Sequence, residues 1–291
     1  MRHIPVLQDT VCSFLPSHTS IVVDWTVGHC GHANAITDFA SAQWLPLQKI
    51  YWFDIDIDVI SYVSDNQIAD YRIDLHNIPY SSLHNFMHEN QLSAEFVLLD
   101  LWLNWQHVLS RDRGFSFKKT WKLDMRFDQN SWATTFALLQ KTDINQLTDV
   151  FLQFGDFWVK KASLLAKTLI KNRRNPLLQT TTWMVQLLYN SWIHKNDIAR
   201  VFQSLRIMTN NEFDHIQQFF AHIHERLSLG WRCAIISYHS GEDRVVKLCM
   251  QKLQNQGWKL LTSPIIVPSY KEIKYNKAAR SAKLRVIEKI V

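Results

Sequence analysis

The sequence predicts an α/β fold in which a mostly parallel sheet is covered by helices on both faces and interrupted by a block of helices. Short apolar, β-branched runs recur, and each closes on an acidic residue or a glycine turn; helical patterns follow those runs; and between about residues 129 and 207 the strand runs stop.

The elements follow in order. Residues 20–27 (SIVVDWTV) form the first strand run, ending at the turn GHCGH, after which residues 33–42 continue as a helix. Residues 49–55 (KIYWFDI) and 95–102 (EFVLLDLW) are further strand runs. Residues 232–238 (RCAIISY) are another, followed by HSGEDRVVKLCMQKLQNQG, a helix with a glycine stop. Between them lie WATTFALLQ, INQLTDVFLQF, VKKASLLAKTLIKNRR and TTTWMVQLLYNSWI, which repeat at helical spacing, with Asp143 and Asn145 as capping residues and Pro176 as a breaker. This divides the chain into an α/β core, residues 1–128 and 208–291, and a helical insertion, residues 129–207. The basic C-terminal stretch KEIKYNKAARSAKLRVIEK reads as a solvated helix face.

At 291 residues the chain has room for one large domain with an insertion. Its net charge of +6 favours an anionic partner such as RNA. Cys12, Cys30, Cys233 and Cys249 are scattered without zinc-ligand spacing, so neither a metal nor a disulfide framework is expected. The absence of an apolar run of membrane-spanning length argues for a soluble chain without a membrane partner. Only 7 glycines against 12 tryptophans is an unusual balance for a nucleotide-binding protein, because glycine supplies the tight turns around phosphates and ribose.

In open α/β sheets ligands sit outside the carboxyl ends of the strands. Asp24, Gly28, Gly31 and His32 lie there after the first run, in a loop able to wrap a nucleoside-bearing ligand or to serve as an ordinary turn. Asp54, with Asp56 beyond it, follows the second run; an acceptor-only carboxylate there suits both hydroxyls of a ribose, or equally a helix start. Asp74 in YRIDLHNI reads as a turn aspartate or an adenine neighbour. Asp100 closes the buried run EFVLL, which packing does not explain. Beyond it, Asn104, Gln106 and His107 can hydrogen-bond a base edge and Trp105 can stack on one, or all four can be plain loop side chains. Residues 111–128 (RDRGFSFKKTWKLDMRFD) mix cations and aromatics as phosphate and base contacts require, though a solvated basic loop would read alike. His239, Ser240, Glu242, Asp243 and Arg244 fit an active-site edge or a capped helix start.

Taken together and in order, HIPVL, DWTVGHCGH, FDID, LLDL, RGFSF, LDMRFD, VFQSLRI, ISYHSGEDRVVK and RSAKLR resemble the RsmH (MraW) family nearly end to end. The resemblance implies a class I, Rossmann-like methyltransferase core with an inserted α-helical domain that recognises RNA. It implies S-adenosylmethionine as cofactor and N4 of a cytosine in small-subunit ribosomal RNA as acceptor. By position it assigns Asp24, Gly28, Gly31, His32, Asp54 and Asp100 to the cofactor, and Asp100, Asn104 and His239 to catalysis. Arg113, Phe115, Phe117, Arg126, Arg206, Arg244, Arg280, Lys283 and Arg285 fall to RNA. The partner it implies is small-subunit rRNA or the assembling subunit; a homodimer or assembly factors also fit, and the compartment is the cytoplasm, with the mitochondrial matrix as the alternative.

Three segments depart from the family pattern. GHCGH stands where the family reads close to GRGGH, so Cys30 replaces a glycine. LWLNWQH stands where LGVSSPQ is usual, with Trp102 in place of glycine, and FGDFWVKKA departs near Phe157 and Trp158. Two readings follow: a divergent cytosine-N4 methyltransferase, and a catalytically silent homologue that binds rRNA as a small-subunit assembly factor.

Overall fold

The computed structural model describes residues 5–28, 30–66, 70, 72–101, 113–131, 133–226 and 229–291. The chain forms two compact units, residues 1–102 with 213–291, and residues 103–212.

The first unit is built on a seven-stranded sheet: β1 (Ile21–Asp24), β2 (Lys49–Phe53), β3 (Ile73–His76), β4 (Phe96–Asp100), β5 (Arg232–Ser237), β6 (Trp258–Leu260) and β7 (Lys283–Lys289). Their order is β3-β2-β1-β4-β5-β7-β6. The first five pair in parallel, and β7 runs antiparallel between β5 and β6. Both faces are covered, as continuous apolar strands require: Val22, Ile50, Trp52, Phe96, Leu98 and Ile236 join one buried cluster, while Val23, Phe53, Val97, Leu99 and Ile235 are buried too.

Helices of this unit before the insertion are α1 (Gln8–Ser13), α2 (Gly31–Ala42), α3 (Ile57–Asn66) and α4 (Leu83–Glu89). The strand β1 stops at Asp24, short of the predicted residue 27, and α2 starts two residues early at Gly31. The C-terminal basic stretch is corrected more sharply: residues 283–289 are a strand inside the sheet, with Leu284, Val286 and Ile287 buried. Apolar residues alternate with Lys283 and Arg285, a period of two that the density of charge obscured.

The second unit is helical: α5 (Thr135–Lys141), α6 (Ile144–Gly155), α7 (Val159–Asn172), α8 (Thr181–Asn190) and α9 (Lys195–Asn210). Asp143 caps α6 in a capping box with Gln146, its carboxylate accepting the N–H groups of Asn145 and Gln146. The apolar core of this unit includes Leu123 and Met125 together with Leu147, Phe151, Leu165 and Leu205. Residues 113–128 therefore pack with the helices, and the unit begins before the change of texture at residue 129. The chain then returns to the first unit through α10 (Glu212–Arg226), α11 (Ser240–Gln254) and α12 (Tyr270–Tyr275). Among the described residues no helix is long and apolar enough to cross a membrane.

Candidate functional site

Strand order reverses between β1 and β4, and the crevice outside their carboxyl ends is where an open sheet leaves room for a ligand. Register brings three carboxylates to that place. Asp24, the last residue of β1, stands opposite Trp52 and Leu98; Asp54 follows β2 directly; Asp100 ends β4 opposite Ile236. The chain leaving β1 is stitched to both neighbours, Trp25 N–H donating to the Leu98 carbonyl at 3.1 Å and Val27 N–H to the Phe53 carbonyl at 3.0 Å. It then turns through two left-handed residues, Gly28 (φ 48°) and Cys30 (φ 62°), into α2.

Asp24 is 1% exposed and accepts the Thr26 N–H at 3.1 Å. Burial pushes its carboxyl up to about 6; Asp100 and Asp54 add to the rise, while His32 and the Thr26 N–H oppose it. Asp54 joins the two turns, accepting the Gly28 N–H at 3.3 Å on one oxygen and the Asp56 N–H at 3.0 Å on the other. Asp56 itself is buried and accepts the Asp58 N–H at the start of α3, so it serves as a helix-start carboxylate.

Asp100 has three polar neighbours. Its N–H donates to Thr26 Oγ1 at 2.6 Å, its Oδ2 lies 3.4 Å from His32 Nδ1, and its charge acts on the buried Tyr238 phenol. Burial first, and then the Asp100 charge, hold the Tyr238 phenol well above its ordinary value, so it stays a donor. His32 Nε2 lies 2.8 Å from the Val6 carbonyl; a carbonyl only accepts, so this nitrogen donates to it, and the ring stands between the N-terminal segment and the end of β4. Gly31 completes the seam: a Cβ there would stand 2.5 Å from Pro5 Cγ.

Thr26 and Tyr238 are the residues that sequence reasoning missed. The signal for Tyr238 was present, since it closes the apolar run RCAIISY with a polar tip as Asp100 closes EFVLL. Thr26 carried none, because a hydroxyl in a turn has many uses.

Acceptor-only carboxylates at the ends of β1, β2 and β4 suit a ligand with paired hydroxyls and positive charge. Cys30, the N-cap of α2, makes no side-chain capping bond, which leaves the first N–H groups of that helix for an anionic end. A zwitterionic nucleoside bearing a cationic centre fits this donor set.

The other candidates are placed as follows. Asn104, with Trp102, Trp105, Gln106 and His107, lies outside the described residues. His239 is the N-cap of α11: its Nδ1 accepts the Glu242 N–H at 3.3 Å and its Nε2 stands 2.7 Å from Glu242 Oε1. Asp74 is in mid-strand rather than a turn, 3.3 Å from Lys49 Nζ.

Several cations assigned to RNA are used within their own unit. Arg113 is buried and donates to the carbonyls of Arg126 and Phe127 at 3.0 and 2.9 Å. Arg126 forks onto Asp124 at 2.7 and 2.8 Å, and Arg206 onto Glu212 at 2.8 Å through both nitrogens. Phe115 stacks on Phe127 and Phe117 meets Phe202 edge-on, both packed against the helical core. In the first unit Arg285 and Lys283 bind Asp243 at 2.7 and 3.1 Å. A guanidinium fork matches carboxylates and carbonyls inside a protein as well as phosphates outside it, which is why the letters did not separate the two uses. Arg244 and Arg280 are exposed.

The chain is 33% identical to the ribosomal RNA small subunit methyltransferase H of Coprothermobacter proteolyticus, over 99% of this chain and 96% of that protein. It is 31% identical to the protein of the same name from Elusimicrobium minutum, over 99% and 98%. The family model for MraW methylases matches residues 1–290. With the carboxylate-lined switch point in place and the match running end to end, this chain belongs to the MraW methylase family.

Proposed function

We propose that this chain methylates small-subunit ribosomal RNA at N4 of a cytosine, using S-adenosylmethionine. The observation that carries the reading is the convergence of Asp24, Asp54 and Asp100 at the switch point of the sheet, in a chain aligned end to end with relatives named as small-subunit rRNA methyltransferases. When bound, S-adenosylmethionine supplies an electrophilic methyl group on a sulfonium.

The residues of the chain do the rest. Asp54 is placed to accept hydrogen bonds from ribose hydroxyls, and Asp24 to face the positive end of the cofactor. The exocyclic amine of cytosine is a weak nucleophile because its lone pair is delocalised into the ring, so its orientation and the polarisation of its N–H bonds limit the rate. Asp100, its N–H held by Thr26 Oγ1 and its carboxylate beside His32, is placed as an acceptor for one of those bonds. Asn104 is proposed as a second acceptor. His239 acts by positioning, since both ring nitrogens face Glu242 and fix the start of α11. Of the assigned cations in the first unit, the exposed Arg244 and Arg280 are the ones offered to RNA.

The silent-homologue reading rests on residues 102–106, outside the described residues, and on Cys30, which holds the left-handed backbone its turn requires. Neither weighs against the enzyme. Calorimetric titration with S-adenosylmethionine, with Asp54→Ala as control, should show binding that the variant loses. Small ribosomal subunits lacking the modification should then gain one N4-methylcytidine, read by mass spectrometry of the digested rRNA; a saturably bound cofactor with no methyl transferred to cytosine would sink the proposed acceptor.

A further inference from the structure

From residue 157 to residue 196 the chain contains no Asp or Glu but seven cations: Lys160, Lys161, Lys167, Lys171, Arg173, Arg174 and Lys195. The helix α7 and the turn after it sort the first six into two groups. Lys161 pairs with Asp197, and Arg173 donates to the Thr142 carbonyl at 3.1 Å, so these serve the fold of the helical unit. Lys160, Lys167, Lys171 and Arg174 are exposed, and no ion pair is recorded for any of them among the described residues. The spacing of seven and four residues keeps Lys160, Lys167 and Lys171 on one face of the helix, and Arg174 follows in the turn after it. The opposite face, Ala162, Leu165, Ala166 and Leu169, is fully buried in the core of the unit.

Four unpaired cations in line cost folding free energy through mutual repulsion, and the helix has no need of them for packing. The three lysines extend over eleven residues, about 16 Å along the axis at 1.5 Å per residue, with Arg174 beyond the helix end. We infer that this face of α7 is a phosphate-binding track for RNA, contacting the backbone rather than the bases. A membrane surface is the weaker fit, because an interfacial helix needs a continuous apolar face free to enter lipid; here that face is inside the protein, and Trp158, Val159 and Leu164 are the exposed apolar side chains at this helix. The identity of the anion as RNA rests on the proposed function; the track itself rests on the sorting of the cations.

The test is the full-length variant K160Q/K167Q/K171Q/R174Q, with K160R/K167R/K171R as the charge-preserving control. Binding of a fluorescein-labelled single-stranded RNA is followed by anisotropy from about 50 to about 200 mM KCl. Four lost phosphate contacts, at about 0.7 each, should make the slope of log K against log salt shallower by about 3 and weaken binding at low salt on the order of tenfold or more. The arginine variant should bind as the parent does, and thermal melts of all three proteins should coincide. An unchanged slope and affinity in the glutamine variant overturns the track, as does tighter binding to phosphatidylserine vesicles than to RNA. Calorimetry with S-adenosylmethionine separates the two proposals: a parent chain that binds RNA through this face but takes no cofactor defeats the enzyme reading and leaves the track standing.

Discussion

Asp24 shows how the site and stability oppose each other at a single residue. Its folded carboxyl titrates near about 6 against 3.8 for the free side chain, because burial penalises its charge. The folded form therefore keeps its proton between those values while the unfolded chain releases it, and stability falls as pH rises through this window. The penalty at neutral pH is on the order of 3 kcal/mol. Asp24→Asn keeps an acceptor for the Thr26 N–H and removes the charge. It should raise stability in urea by about 1–3 kcal/mol at neutral pH and change little near pH 4, while cofactor binding falls. Equal stability of variant and parent at both pH values would count against the buried charge.

Cys30 carries a second residue-scale consequence. A side chain in the left-handed region costs about 1 kcal/mol relative to glycine. Burial, with Asp24 and Asp54 adding to it, pushes the thiol up to about 12, so it should resist iodoacetamide at pH 8 in the native protein. Cys30→Gly frees the turn and should tighten S-adenosylmethionine binding a few-fold by calorimetry.

Among the elements, α11 is joined to the end of β5 and to β7 by adjacent acids with different duties. Glu242 is buried and accepts the Tyr238 and His239 N–H groups at 2.8 and 3.3 Å. Removing it leaves those donors without a partner beside the site, so Glu242→Ala should cost about 2–4 kcal/mol in a denaturant titration. Asp243 faces the other way, onto Arg285 and Lys283 of β7. Burial alone would raise its carboxyl, but hydrogen bonds and charge from Arg285 and Lys283 outweigh that and hold it below its ordinary value. A depressed acid contributes stability at neutral pH and loses it as pH falls through the lowered folded value. Asp243→Asn should therefore weaken the fold at pH 7, with the difference from the parent shrinking in acid.

At the scale of the molecule, cofactor binding is linked to unfolding. A ligand that binds only the folded chain adds about 2.7 kcal/mol at a hundredfold excess over Kd, enough to raise Tm by several degrees. S-adenosylmethionine should produce that shift in the parent, and Asp54→Ala should abolish it. The helical unit depends on its own buried polar contacts. Arg113→Ala leaves the Arg126 and Phe127 carbonyls without the one nitrogen, Nη2, that donates to both, and should lower Tm.

Periodicity and burial are properties of neighbours along the chain, so the sequence by itself determined the parallel strands β1, β2, β4 and β5, the helical insertion, and the acids closing β1, β2 and β4. A buried strand that ends in a carboxylate has no packing explanation, and that made Asp100 legible, while Asp24 and Asp54 were read from their places after the first two strand runs. The motif order determined the family. Only the tertiary structure decided how polar groups distant in sequence are spent. Thr26 became a support of Asp100, and Tyr238 its neighbour, because the β1 turn and β5 flank β4, while Arg113, Arg126 and Arg206 turned inward onto carbonyls and carboxylates. The strand β7 was hidden for the same reason: Asp243 neutralises Lys283 and Arg285 from forty residues away, and no local pattern announces a partner at that distance.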